Sequence, residues 1–217
     1  MKGHPMTTSK AILLTFAILF GLVVQSGVSQ ARDIQSAIFA GGCFWCVESD
    51  FDHVNGVIET VSGYAGGTRA NPTYRSHEGY TEALRIKFDA DKVSFRQLVD
   101  IFWRTHDVFD DGGQFCDRGP SYKAVVFVKS GQRADAEASK SAAEAVLKRG
   151  IKTPIVNATT FYKAEDYHQN YYLGQNRVLT RFGYISQAKA YKNYRKGCGR
   201  DQRVKQIWGK DAPFAGM

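Results

Sequence analysis

The sequence predicts an α+β sandwich of two layers, with helices on one face of a mostly antiparallel sheet. Three observations carry this expectation. Short β-branched or alternating apolar runs interleave with helical patterns in the order βαββαβαβ. Two of the strands follow one another without a helix between them, which departs from the strict alternation of a parallel sheet. The 217 residues are 43% apolar, enough for one well-filled core, and no repeat, Pro-rich linker or low-complexity tract divides residues 32–217.

The elements follow in order. "SAIFAGG" (Ser36–Gly42) is a short apolar run ending in glycines, a strand that feeds a tight turn. Cys43 to Val54 has no Gly or Pro and reads as a helix until Asn55. Val57–Tyr64 and Glu82–Phe88 read as strands, with the turn-rich "AGGTRANPTY" between them. Ser94 and Gln97 form a capping box, and Phe95, Leu98, Val99 and Phe102 supply the helical stripe behind it. Tyr122–Val128 is a strand, Ser130–Arg149 a helix stopped by Gly150 and Pro154, and Ile155–Phe161 a last strand. Beyond lies a tail expected to be irregular with short helical pieces. The sum is a ferredoxin-like βαββαβ core with an irregular C-terminal tail.

The first 31 residues read as an address. Lys2, His4 and Lys10 precede an apolar run of 14, Ala11 to Val24, too short for a comfortable membrane span. Ser29-Gln30-Ala31 offers small residues at the −3 and −1 positions of a cleavage site, and no cysteine follows the run to take a lipid. The expectation is a signal peptide over 1–31 and a single domain over 32–217, exported to a bacterial periplasm, with no stable membrane insertion after cleavage. The net charge of +8 leaves +6 on the mature part. The basic tail from Tyr191 to Lys205 lacks a nucleic-acid-binding module and reads as solvated surface, so no nucleic-acid partner is expected. Four cysteines are too few for a disulfide framework, and each needs its own explanation.

Gly41-Gly42-Cys43-Phe44-Trp45-Cys46 stands where the first strand hands over to the first helix. A cysteine there meets unpaired N–H groups and the positive helix end, both of which favour a thiolate. Phe44 and Trp45 set two large rings beside the sulfur, which suits an apolar group, and two glycines allow a substrate backbone to come close. A CxxC pair fits a redox couple, half a zinc site, or a nucleophile with its resolving thiol. Zinc is disfavoured because Cys116, Cys198 and the histidines show no ligand spacing. No phosphate loop or nicotinamide fingerprint appears.

"AGGCFWCVE" (40–48) resembles the signature of the A-type peptide-methionine sulfoxide reductases. The likeness continues through "GVIETVSGYAGG" (56–67), "NPTY" (71–74), "GYTEALRIKFD" (79–89), "GGQFCDRGPSY" (112–122), "AEDYHQNYY" (164–172) and the closing "KGCGR…IWG". The resemblance implies reduction of methionine-(S)-sulfoxide, free or in damaged proteins. By that resemblance Cys43 is the nucleophile, Glu82 the acid, Tyr74 and Tyr122 the phenols on the sulfoxide oxygen, and Asp117 a placing carboxylate. Phe44 and Trp45 form the methyl pocket. Cys43 becomes a sulfenic acid, a second cysteine condenses with it, and an external dithiol, a thioredoxin-like protein or small thiol, reduces the disulfide. No bound cofactor or metal is implied, and the chain is expected to act as a monomer.

Each residue keeps a plainer reading. Glu82 could be a solvent-side strand residue, Tyr74 the close of a turn, Tyr122 a residue on a sheet face, and Asp117 a turn carboxylate paired with Arg118. Cys46, one helical turn from Cys43, is the expected first resolver. Cys198, between Gly197 and Gly199, is a possible later relay. Cys116 is either an inert apolar residue or a participant in exchange. His168 reads as structural, and Tyr80 stands where relatives often carry His. The competing activity is general thiol–disulfide exchange through Cys43 and Cys46, for which Glu82 and Tyr74 would be irrelevant.

Overall fold

In the computed structural model the described residues are 32–216, so the candidate signal segment lies outside them. The strand β1 (Ile34–Gly41) leads into helix α1 (Phe44–Phe51), and β2 (Val57–Ala65) and β3 (Thr81–Asp89) follow as a pair. Helix α2 (Phe95–Phe102) comes next, opened by the Ser94–Gln97 capping box. A two-residue ladder of β4 (Gly113–Gln114) and β5 (Asp117–Arg118) precedes β6 (Ala124–Val128) and α3 (Arg133–Leu147). The rest comprises β7 (Ile155–Asn157), β8 (Tyr162–Lys163), a hairpin of β9 (Arg177–Thr180) and β10 (Gly183–Ser186), and helices α4 (Gln187–Gly197) and α5 (Arg200–Trp208).

The main sheet runs β7-β6-β1-β3-β2-β8, antiparallel throughout except for β6 with β7. Its inner part, β6-β1-β3-β2, is joined as βαββαβ, which is the ferredoxin-like arrangement expected from the sequence. One face carries the large core: Phe39 stacks on Phe102 at 4.8 Å between centroids, and Val47, Phe51, Leu84, Leu98 and Trp103 close around them. Phe102 is fully buried, and truncating such a ring costs about 3–5 kcal/mol.

Three expectations change. Ile155–Phe161 is not one strand: Ile155–Asn157 pairs with β6 at one edge, while Tyr162–Lys163 pairs with β2 at the other. The stretch between them crosses the second sheet face and lays Ala158 and Phe161 on Ile38, Ala83 and Phe127. A side chain at Gly63 would lie 2.2 Å from the Tyr162 carbonyl oxygen, so glycine is what lets this crossing seat. Tyr122 ends a 3-10 turn, Pro120–Tyr122, and does not begin the strand. The tail is more regular than expected. Arg195 donates to Asp50 Oδ1 at 2.7 Å, and the Arg200 guanidinium donates to the Gly41 carbonyl at 3.3 Å. All three side chains are buried, so α4 and α5 are tied to both ends of the β1–α1 junction, and removing one partner would cost about 3–5 kcal/mol.

Candidate active site

The site begins at the turn between β1 and α1. Gly42 has φ +84, and a Cβ on it would lie 2.6 Å from that of Gln114. Glycine is therefore demanded by backbone shape and by Gln114, a more local reason than approach of a substrate backbone. Gln114 is fully buried and accepts from the Asp107 N–H at 2.8 Å, which fixes the β4–β5 ladder to the loop at Asp107. Cys43 is the residue before the helix, and its carbonyl accepts from the Cys46 and Val47 N–H groups. The free N–H at the helix start goes elsewhere: Phe44 donates to Glu82 Oε2 at 3.0 Å.

Glu82 lies on β3 opposite Tyr64 of β2 and is 2% exposed, which rules out the solvent-side reading. Burial pushes its carboxyl up to about 8, against the lowering effect of the Phe44 N–H, and Asp117 adds to the rise. The group is thus neutral at pH 7 while sitting against the nucleophile's own turn. Tyr74 leaves the turn-rich loop and is held there because its N–H donates to Glu165 Oε1 at 3.0 Å. Burial, then Glu82 and Cys43, push its phenol up to about 12, and the Tyr122 phenol is raised by burial and Glu82 likewise. Both remain hydroxyl donors.

Cys43, Phe44, Trp45, Tyr74, Glu82, Asp117 and Tyr122 together line one cavity of about 100 Å³. All seven residues singled out in the sequence around the nucleophile therefore meet, although they come from five separate segments. Tyr194 of α4 lines the same cavity and donates its hydroxyl to Asp117. The plainer reading of Asp117 as a turn carboxylate paired with Arg118 does not hold, since Arg118 pairs with Asp110. Tyr194 was not anticipated; its only sequence mark is its place in the Tyr-containing tail before Cys198. His168 is buried, and its Nδ1 accepts from Trp45 Nε1 at 3.2 Å, which fixes the indole beside the sulfur. Burial lowers its imidazole to about 4, so it is neutral and structural.

The thiols divide into two pairs. Cys43 and Cys46 are free and buried, 6% and 1% exposed. Burial, the hydrogen bond to Cys46 and the nearby Glu82 and Asp117 raise the Cys43 thiol, so the helix-end argument for a lowered value does not hold in this environment. Cys46 is lowered, first by the hydrogen bond from Cys43 and further by Arg200 and Arg195. Of the two sulfurs, Cys46 is therefore the one whose surroundings favour the thiolate. Cys116 is exposed and Cys198 half-buried, and the two are joined as a disulfide, so Cys116 is not an isolated apolar residue and Cys198 does not stand free.

A buried dithiol beside a neutral carboxyl and two phenols, in a cavity sized for a few heavy atoms, defines a thiol-dependent oxidoreductase. The family of peptide methionine sulfoxide reductases matches this chain over residues 35–211. Among similar proteins, MsrA 2 of Rhizobium meliloti is 47% identical over 206 residues, 92% of this chain and 98% of that one. MsrA 2 of Caulobacter vibrioides is 44% identical over 205 residues, again covering 92% and 98%. In fold, the chain is similar to methionine sulfoxide reductase A of Corynebacterium diphtheriae, with a TM-score of 0.58 and 25% identity over 72% of this chain and 85% of that one. It is also similar to reduced Mxr1 of Saccharomyces cerevisiae, with a TM-score of 0.62 and 23% identity over 73% and 94%. The chain belongs to the peptide methionine sulfoxide reductase family.

Proposed function

We propose that Cys43 is the nucleophile of a sulfoxide reduction carried out in the cavity it shares with Glu82. The chain reduces methionine-(S)-sulfoxide, free or within proteins, to methionine. A sulfoxide sulfur accepts a nucleophile only when its oxygen is protonated or strongly hydrogen-bonded. Glu82 supplies the proton, and the Tyr74 and Tyr122 hydroxyls donate to the same oxygen. Asp117, fixed by Tyr194, helps place the substrate, while Phe44 and Trp45 hold the methyl group.

As the Cys43 sulfur attacks, its proton passes to Cys46, whose thiolate Arg200 and Arg195 stabilise. Methionine leaves, and the oxygen stays on Cys43 as a sulfenic acid carrying the Glu82 proton. Cys46 then forms the disulfide, and the oxygen departs as water with the protons that began on Glu82 and Cys43. The single observation that carries this reading is the convergence of all these groups on one cavity of about 100 Å³. General disulfide exchange is a poorer fit, since it leaves Glu82, Tyr74 and Tyr122 without a role in the cavity they share with Cys43.

Recycling falls to an external dithiol protein of thioredoxin type. Cys198, once that reductant has released it from Cys116, relays the disulfide outward from Cys46. The mature part, from about Arg32, acts as a monomer on oxidised proteins in a bacterial periplasm. The basic, apolar and small-residue order of residues 1–31 supports export, and a Cys116–Cys198 bond suits an oxidising compartment. The test is turnover of separated (S) and (R) methionine sulfoxide peptides with dithiothreitol, using mature protein beside Cys43→Ser. Turnover of the (S) epimer alone, abolished by the substitution, is expected; no turnover by folded protein would end the reading.

A further inference from the structure

A second, larger cavity of about 460 Å³ adjoins the first and shares Trp45, Asp117 and Tyr194 with it. Its wall is apolar on the side nearest the thiols. The Trp45 indole stacks on Tyr171 at 3.8 Å between centroids and 8° between planes, and Ala190 continues that surface. The Cys116–Cys198 disulfide forms another part of the wall. Opposite stands the tip of the β9–β10 hairpin, where Phe182 is 43% exposed and the Arg181 guanidinium lies over its ring at 4.8 Å.

The smaller cavity has room for the sulfoxide end of one side chain and no more. A polypeptide substrate must therefore leave it directly, and Trp45, Asp117 and Tyr194 are the rim across which the larger cavity begins. We propose that this larger cavity is a subsite for an apolar side chain of the substrate polypeptide adjacent to methionine sulfoxide, with Phe182, Tyr171 and Trp45 as its contacts. This rests on the reading that the smaller cavity receives the sulfoxide. It also accounts for Phe182, which lines the cavity from the exposed hairpin tip while Val178 and Ile185 of the two strands pack inward against Tyr171, Ala190 and Tyr191. A free methionine sulfoxide molecule has no side chain to place there, so the subsite separates protein-bound from free substrate.

The test is competition between acetylated peptides carrying Gly, Leu or Phe on the N-terminal or C-terminal side of (S)-methionine sulfoxide, with dithiothreitol as reductant. In one of the two series Leu and Phe should raise kcat/KM at least about tenfold over Gly, the range one well-buried apolar group gives in a pocket. Phe182→Ala, at a partly exposed hairpin tip, should reduce that ratio to within about threefold while leaving turnover of free methionine sulfoxide unchanged. Equal rates for Gly, Leu and Phe peptides in the unsubstituted protein would overturn the subsite. So would a preference that survives Phe182→Ala, or a fall in free methionine sulfoxide turnover equal to that of the peptides. No turnover of any substrate, free or peptide, would instead remove the reductase reading itself.

Discussion

Glu82→Gln separates catalysis from stability at one residue. Glu82 is buried and carries a carboxyl raised from 4.5 to about 8, chiefly by burial. A folded-state value above the unfolded one means that the protonated form is the one the fold retains. Stability associated with this group is then full below about pH 4.5 and is lost as pH rises towards 8. At about 1.4 kcal/mol per pH unit, that interval amounts to on the order of 5 kcal/mol as an upper bound. Glutamine keeps a neutral side chain of the same shape, and its carbonyl oxygen can still accept the Phe44 N–H. The variant should therefore match the parent in Tm at pH 5 and exceed it at pH 9, by roughly 2–4 °C for each kcal/mol recovered. Its kcat/KM for (S)-methionine sulfoxide should fall about 10²–10⁴-fold, because an amide cannot deliver a proton. The parent's own kcat/KM should decline above pH 8 as the acid form is lost. Thermal melts at the two pH values and a pH–rate profile read all of this. A variant within tenfold of parental activity, or one less stable than the parent at pH 9, would refute the reasoning.

Two further outcomes follow from the same residues. Fully reduced mature chain, given excess (S)-methionine sulfoxide under anaerobic conditions without reductant, should release two methionines and end with Cys43–Cys46 and Cys116–Cys198 both oxidised, as read by peptide mass mapping. One methionine per chain, with Cys116 and Cys198 still thiols, would make that second disulfide a static tie. Glu48 is as buried as Glu82, and burial, then Asp52, push it up to about 8, yet it lines neither cavity at the thiols. Glu48→Gln should show the same gain in Tm at pH 9 with kcat/KM within about threefold of the parent; a loss beyond tenfold would mean that Glu82 is not the sole acid.

The core of the fold was legible because its signals are local. Alternating apolar residues in β2 and β3, the Ser94–Gln97 box and the unbroken apolar run of β6 each encode an element within ten residues, and the antiparallel order follows from short connections. The split at Ile155–Phe161 could not be read that way. Whether such a run stays at one edge or crosses the sheet depends on Gly63, nearly a hundred positions earlier, leaving room for the Tyr162 carbonyl. The tail was underestimated for a similar reason. Its helices have weak apolar faces and rest on Arg195 and Arg200 meeting Asp50, a polar contact across 145 positions that leaves no periodic trace.

The site shows the same division between kinds of information. Residue types near Cys43 were readable as chemistry because a helix-start thiol flanked by aromatic residues is compact in sequence. What sets their protonation is not compact: the Glu82 carboxyl is raised because β3 and α1 bury it together, and the Cys46 thiol is lowered by the hydrogen bond from Cys43 and then by two arginines of the tail. The helix-end rule, applied to Cys43 alone, therefore pointed the wrong way. The supporting contacts are likewise distant, since Glu165 holds Tyr74 and His168 holds Trp45. "AEDYHQNYY" is thus best understood as scaffold for the aromatic wall, not as part of the reacting set. Cys116 offered one signal that could have been used. With Cys43 and Cys46 taken as a working pair, two cysteines remained in a chain read as exported, and an even remainder in an oxidising compartment argues for a bond between them. That bond joins the loop bearing Asp117 to the helix bearing Tyr194, two of the three residues that line both cavities.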